Sequence, residues 1–162
     1  MDNFLEKILK QYATSTDIEA IAIGGSTTAK TSDTISDIDI YIFSKENIPI
    51  EARKNIIKPI SSKYEIGCEY FGSGDEYFVD KLNKQLDVMY WNTEWFKDIV
   101  NNTWIKYYPQ NGYTTCFLYT LKNFNIVYDK NNWLYNFKKI IDTPYPKTLK
   151  ENIVKHSLML MN

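Results

Sequence analysis

The chain has 162 residues with 19 Lys+Arg, 20 Asp+Glu, one His and two Cys, a net charge of −1 and 44% hydrophobic content, which suits one domain or a domain with a small appendage. His156 as the sole histidine excludes helical His-x-x-x-His zinc sites. The distance between Cys68 and Cys116 excludes a Cys-x-x-Cys pair, so both are expected as reduced core thiols. No apolar run approaches the ~20 residues of a membrane helix, and Met1 to Lys7 lacks the basic region and apolar core of a signal peptide; the chain reads as cytoplasmic.

In chain order, Phe4, Leu5, Ile8, Leu9 and Tyr12 follow helical spacing and predict a helix over Asn3 to Ala13. A strand is predicted over Asp17 to Ile23, ending at Gly24-Gly25. After a polar stretch, Asp37 to Phe43 alternates strictly and predicts a second strand. Glu51 to Ile60 predicts a helix, frayed by Pro59. Tyr64 to Phe71 and Gln85 to Trp91 predict two strands joined through the Gly72-Ser73-Gly74 turn region. Helices follow over Thr93 to Trp104, with Thr93 as cap, and over Tyr113 to Lys122. A short strand over Asn125 to Tyr128 precedes helices over Trp133 to Ile141 and Lys147 to Met161. The expectation is an α/β (α+β) domain over residues 1–105 and a mostly helical region over 106–162.

Charge is unevenly shared. Residues 1–105 hold 11 basic and 17 acidic residues, net −6, and residues 106–162 hold 8 and 3, net +5. A carboxylate metal site facing a cationic wall would give this split, as would chance variation of helix surfaces. The overall balance argues against extended nucleic-acid binding.

The informative stretch is Ile23-Gly24-Gly25-Ser26, ten residues, then Asp37-Ile38-Asp39-Ile40. Alternation puts Asp37 and Asp39 on one strand face and Ile38, Ile40 and Ile42 on the other. Two carboxylates roughly 7 Å apart repel unless a cation lies between them, and oxygen-only ligands select Mg²⁺ or Mn²⁺. Gly24 and Gly25 let the backbone turn and approach a phosphate closely, and Ser26 adds a hydroxyl and an amide. Together these are the parts of a phosphoryl- or nucleotidyl-transfer site.

The pattern Gly-Gly-Ser, spacer, Asp-x-Asp resembles the DNA polymerase beta nucleotidyltransferase superfamily, which includes aminoglycoside and lincosamide nucleotidyltransferases and the minimal nucleotidyltransferases of toxin–antitoxin pairs. The resemblance is strongest over residues 18–43 and extends to Asp87. It implies a mixed sheet with helices on one side, two Mg²⁺ ions, and transfer of a nucleoside monophosphate from a nucleoside triphosphate, ATP being the expected one. It also implies that Gly25 and Ser26 hold the triphosphate, that Asp37 and Asp39 bind metal, and that a third carboxylate stands on a neighbouring strand, which Leu86-Asp87-Val88 matches. Asp87 then doubles as the candidate general base.

Competing readings lie in the same chain. Gly24 followed by Ala29-Lys30-Thr31 is one substitution from a P-loop, but a strand rather than a long helix follows. Lys30 remains a candidate phosphate contact, with a solvated loop lysine as its plain alternative. Glu69 is the alternative third carboxylate, and Gly74-Asp75-Glu76 reads as loop acids bordering the site. Trp91, Trp95, Tyr113 and Trp133 could stack a base but suit a core, and His156 suits a structural or surface role. The expected function is Mg²⁺-dependent transfer to an acceptor hydroxyl, including that of a small molecule such as an antibiotic, with pyrophosphate released. The alternative is a non-catalytic binding or regulatory module, antitoxin-like. No membrane partner is expected, homodimerisation stays open, and the apolar Leu158 to Met161 end is expected to pack on the core, a partner subunit or a further domain.

Overall fold

The computed structural model describes residues 2–25, 37–69, 72–110 and 115–160. Helix α1 (Asn3–Tyr12) begins where the Asp2 carboxylate accepts the N–H groups of Phe4 at 2.7 Å and Leu5 at 3.4 Å, satisfying donors that the first turn leaves unpaired. Strand β1 (Ile18–Gly24), β2 (Ile38–Ser44), helix α2 (Ile50–Ile57), β3 (Lys63–Cys68), β4 (Gly74–Val79) and β5 (Lys84–Asn92) follow. Then come α3 (Thr93–Val100), α4 (Cys116–Asn123), β6 (Asn125–Asp129), α5 (Trp133–Ile141) and α6 (Lys147–Leu160). The six strands form one sheet in the order β3-β4-β5-β2-β1-β6. Strands β2 and β5 run parallel and the other pairings are antiparallel. The class is therefore α+β, built on a mixed sheet.

Alternation along the strands supplies two cores. Ile40, Ile42, Leu86 and Val88 face α1 and α2, where they meet Leu5, Ile8, Leu9, Tyr12 and Ile57. Phe43 and Trp91, from the opposite face, pack with Phe96, Leu118, Leu121, Phe124 and Leu134. Helices thus cover both faces rather than one, because both faces of β2 and β5 carry large apolar side chains that must be buried, and β1 adds Ala20 and Ala22 on the aromatic side. Trp91 and Trp133 belong to this aromatic core and Trp95 is partly exposed; Tyr113 lies outside the described residues.

Several local expectations change. Strand β4 occupies a segment read as turn and loop, and Asp75 within it is buried. Asn92, not Thr93, caps α3: its side-chain oxygen accepts the N–H groups of Glu94 and Trp95, while Thr93 is buried as the first helical residue. Helix α3 continues as a π-helical turn over Asn101–Ile105, closed by a 2.9 Å bond from the Lys106 N–H to the Asn101 carbonyl. Strand β6 places residues from beyond position 105 at the sheet edge beside β1. Helix α6 is anchored by buried Leu149, but Met159 is 75% exposed, so the chain end does not pack into the core at that residue. Among the described residues no helix is long and apolar enough to cross a membrane.

Candidate active site

Strand register builds the site. Gly24 of β1 pairs with Asp39 of β2, Asp39 with Asp87 of β5, Asp87 with Glu76 of β4, and Glu76 with Glu65 of β3. Directly paired residues project to the same sheet face, so Asp39, Asp87, Glu76 and Glu65 form one lateral row of carboxylates over four neighbouring strands. The intervening Ile40, Leu86 and Val88 are turned into the core on the far side. Asp37 stands exposed just before β2. A cleft of about 240 Å³ is lined by Asp39, Asp87, Glu76, Cys68, Gly74 and Met89.

Among the described residues the row is not compensated by a paired cation. Among the described residues no lysine or arginine forms an ion pair with Asp37, Asp39, Glu65, Glu76 or Asp87. Burial, followed by the charges of Asp87 and Asp37, holds the Asp39 carboxyl above the usual carboxylate range. Glu76 is raised by desolvation first and then by Asp87, Glu65 and Asp37. Asp87 is oriented by Gln85, whose Nε2 donates to its Oδ1 at 2.9 Å. Next to Asp39 on the same face, Tyr41 is pushed up to about 12 by burial, Asp39 and Cys116, so it stays protonated at neutral pH.

The glycine pair has a concrete role. Gly25 has φ +71°, and a Cβ there would overlap the Asp39 carboxylate. A Cβ at Gly24 would come within 2.7 Å of the Tyr41 ring. The backbone leaving β1 therefore runs directly against the first carboxylate of the row, which only glycine permits. Ser26, Lys30 and the near-P-loop segment lie outside the described residues.

Other expected residues stand outside the row. Glu69 is exposed just past the end of β3, a strand that pairs with β4 rather than with β5. His156 is half-buried on α6. The cysteines are not core thiols: Cys68 lines the cleft, its thiol raised by burial and then by Glu76, and Cys116 is exposed at the start of α4. Asp75 is no solvated loop acid. Its carboxylate accepts from Arg53 at 3.0 Å, the Gly67 N–H at 2.9 Å and the Tyr90 hydroxyl at 2.7 Å, with both members of the ion pair buried. Sequence reasoning put Glu76 on a loop bordering the site rather than on a strand in the row, and missed Gln85 as the anchor of Asp87. The period-2 pattern of Glu76 and Phe78 was the available signal.

The donors suit a hard divalent cation in kind, being carboxylate oxygens whose mutual repulsion a cation relieves. Among the described residues no three His, Cys, Asp or Glu side chains gather as a ready-made metal cluster; what the structure presents is the adjacent pair Asp39/Asp87 with Asp37 nearby.

No protein-family model matches the chain, and no curated protein matches it. Among solved structures it is similar to a nucleotidyltransferase-like protein from Exiguobacterium sibiricum, with a TM-score of 0.48 and 9% identity over 90% of this chain. The chain spans 41% of that protein's length, and a likeness this distant carries no argument about family or activity.

Proposed function

We propose that the chain is a Mg²⁺-dependent nucleotidyltransferase acting in the cytoplasm, moving a nucleoside monophosphate from a nucleoside triphosphate, ATP first among candidates, to an acceptor hydroxyl. The observation that supports this most is the in-register pair Asp39/Asp87 on parallel strands, with the Gly24-Gly25 backbone pressed against Asp39. Asp37, Asp39 and Asp87 are the residues that would hold two Mg²⁺ ions, which when bound lower the pKa of the acceptor hydroxyl and offset triphosphate charge. Gly24 and Gly25, having no side chains, would let a triphosphate approach the backbone closely, with Ser26 and Lys30 as further contacts. Asp87, oriented by Gln85, is the group to accept the acceptor's proton. The acceptor oxygen bonds to the α-phosphorus while the bond to pyrophosphate breaks. In this reading residues 1–105 carry the site, and residues 106–162 add a sheet edge and, beside α3, the remaining helices of the aromatic core.

The test is incubation with Mg²⁺, each nucleoside triphosphate and a panel of hydroxyl acceptors, including antibiotics, followed by mass spectrometry. A monophosphate adduct is expected, and none should form with Asp87→Asn. A second reading, a non-catalytic nucleotide-binding or regulatory module, is favoured by the presence of a carboxylate pair rather than a three-ligand cluster. It is distinguished by triphosphate binding without any adduct.

A further inference from the structure

We infer that the outward face of α6 docks on the acid-lined sheet face of a second copy of this chain. Helix α6 is held by its inner side, through buried Leu149 and a 2.8 Å bond from Asn152 Nδ2 to the Tyr107 carbonyl. Lys147, Lys150 and Val154 recur at i, i+3 and i+7 and so share the opposite side. Val154 there is 54% exposed, and Met159 at its margin is 75% exposed. Lys150 and Lys155 are exposed and form no ion pair among the described residues. The helix thus presents apolar side chains set among lysines, of which Lys147 pairs with Glu151 at 3.8 Å while Lys150 and Lys155 pair with no acid among the described residues.

The complementary surface is on the same molecule. The helices over the aromatic core cover β1, β2 and β5, and no residue of β3 or β4 joins that cluster. The uncovered part carries exposed Glu65 and Glu76, neither paired with a cation among the described residues, together with half-buried Phe78 on the same face. Lys63, opposite Phe78, shares this face, but Glu65 and Glu76 outnumber it, and an acidic excess around an apolar ring matches the lysine excess around Val154. The chain-wide split, net −6 over residues 1–105 and +5 over residues 106–162, has the same sense. Charge complementarity of this kind selects register and partner. Two such contacts related by a two-fold axis close a pair and bring both charge excesses together. A nucleic acid or an anionic membrane would satisfy only the lysines, leaving the acidic face unmatched.

Sedimentation equilibrium of the full chain at low ionic strength tests this without reference to nucleotide chemistry. The expected mass is twice 19.1 kDa, falling toward 19.1 kDa as salt is added. Val154→Glu/Met159→Glu, Lys150→Glu/Lys155→Glu and Glu65→Lys/Glu76→Lys should each give monomers with wild-type circular dichroism. Combining the two charge reversals should restore the dimer. A wild-type monomer overturns the inference, as does a dimer that survives Glu65→Lys/Glu76→Lys or a folded combined variant that stays monomeric. Should a charge reversal misfold, the Val154→Glu/Met159→Glu variant and the salt series decide the question.

Discussion

Asp75 and Glu76 are consecutive residues of β4, yet the sheet gives them opposite surroundings. Asp75 turns toward α2, where Arg53, Tyr90 and the Gly67 N–H satisfy it in a buried network; Arg53 also lies 4.7 Å from the Tyr90 ring centroid. Glu76 turns toward the cleft, in line with Asp87 and Glu65 and with no cation paired to it among the described residues. A buried charge is tolerable only when paired and hydrogen-bonded. The first carboxylate is therefore spent on holding the fold. The second belongs to a row whose members repel one another, a repulsion that a bound cation would relieve. This pairing on one face and its absence on the other separates scaffold from site.

The largest expected effect breaks the scaffold side. Asp75→Asn leaves Arg53 charged and buried without its counter-ion, and should cost roughly 3–5 kcal/mol in urea unfolding. Glu76→Gln, one residue away, should change stability by no more than about 0.5 kcal/mol. Equal effects would mean the two faces are not electrostatically distinct.

Next comes the junction between glycine and carboxylate. Gly25→Ala should cost about 1–3 kcal/mol for its left-handed backbone, and it should also displace Asp39 and abolish Mg²⁺·triphosphate binding. Gly72, at φ +102°, has nothing within 4 Å of an added Cβ. Gly72→Ala should therefore show the strain in thermal unfolding yet keep its affinity in calorimetry.

The smallest effect is on the site's own repulsion. Asp39→Asn should stabilise the metal-free protein by roughly 0.2–1 kcal/mol, the range of cross-strand pair energies. The raised Asp39 and Glu76 carboxyls bind protons more readily folded than unfolded. Their contribution to stability is thus full below the ordinary carboxylate range and falls as pH rises through that range to the shifted values. Melting temperature measured against pH should show this fall in wild type, less of it in Asp39→Asn, and less again with Mg²⁺ present.

The site side of this contrast was largely legible in the sequence, because strict alternation in Asp37 to Phe43 and Gln85 to Trp91 places carboxylates opposite isoleucine, leucine and valine. Helix α5 was readable to the residue from its apolar spacing. Strand β4 was not, since Gly72 and Gly74 stand at its start and Asp75-Glu76 resembles a polar turn. Its inward face puts Asp75 ahead of buried Tyr77 and Val79, so the apolar alternation is broken at its start. The partner that makes this possible, Arg53, is 22 residues away on a helix, and no local pattern encodes a non-local ion pair. Register was equally hidden: that Glu76 stands opposite Asp87 depends on the Lys84 end of the β4–β5 hairpin, not on either strand alone. Helices on both faces followed from apolar residues at Phe43 and Trp91, which the expectation of a one-sided sheet overlooked.

Calorimetric titration of the protein with ATP, in Mg²⁺ and in chelator, bears most directly on the claim that the carboxylate row is a metal-dependent nucleotide site. Binding is expected only with Mg²⁺; it should vanish in Asp37→Ala/Asp39→Ala and persist in Asp87→Asn, which should lose transfer alone. Equal affinity in chelator, or unchanged binding in Asp37→Ala/Asp39→Ala, would contradict it.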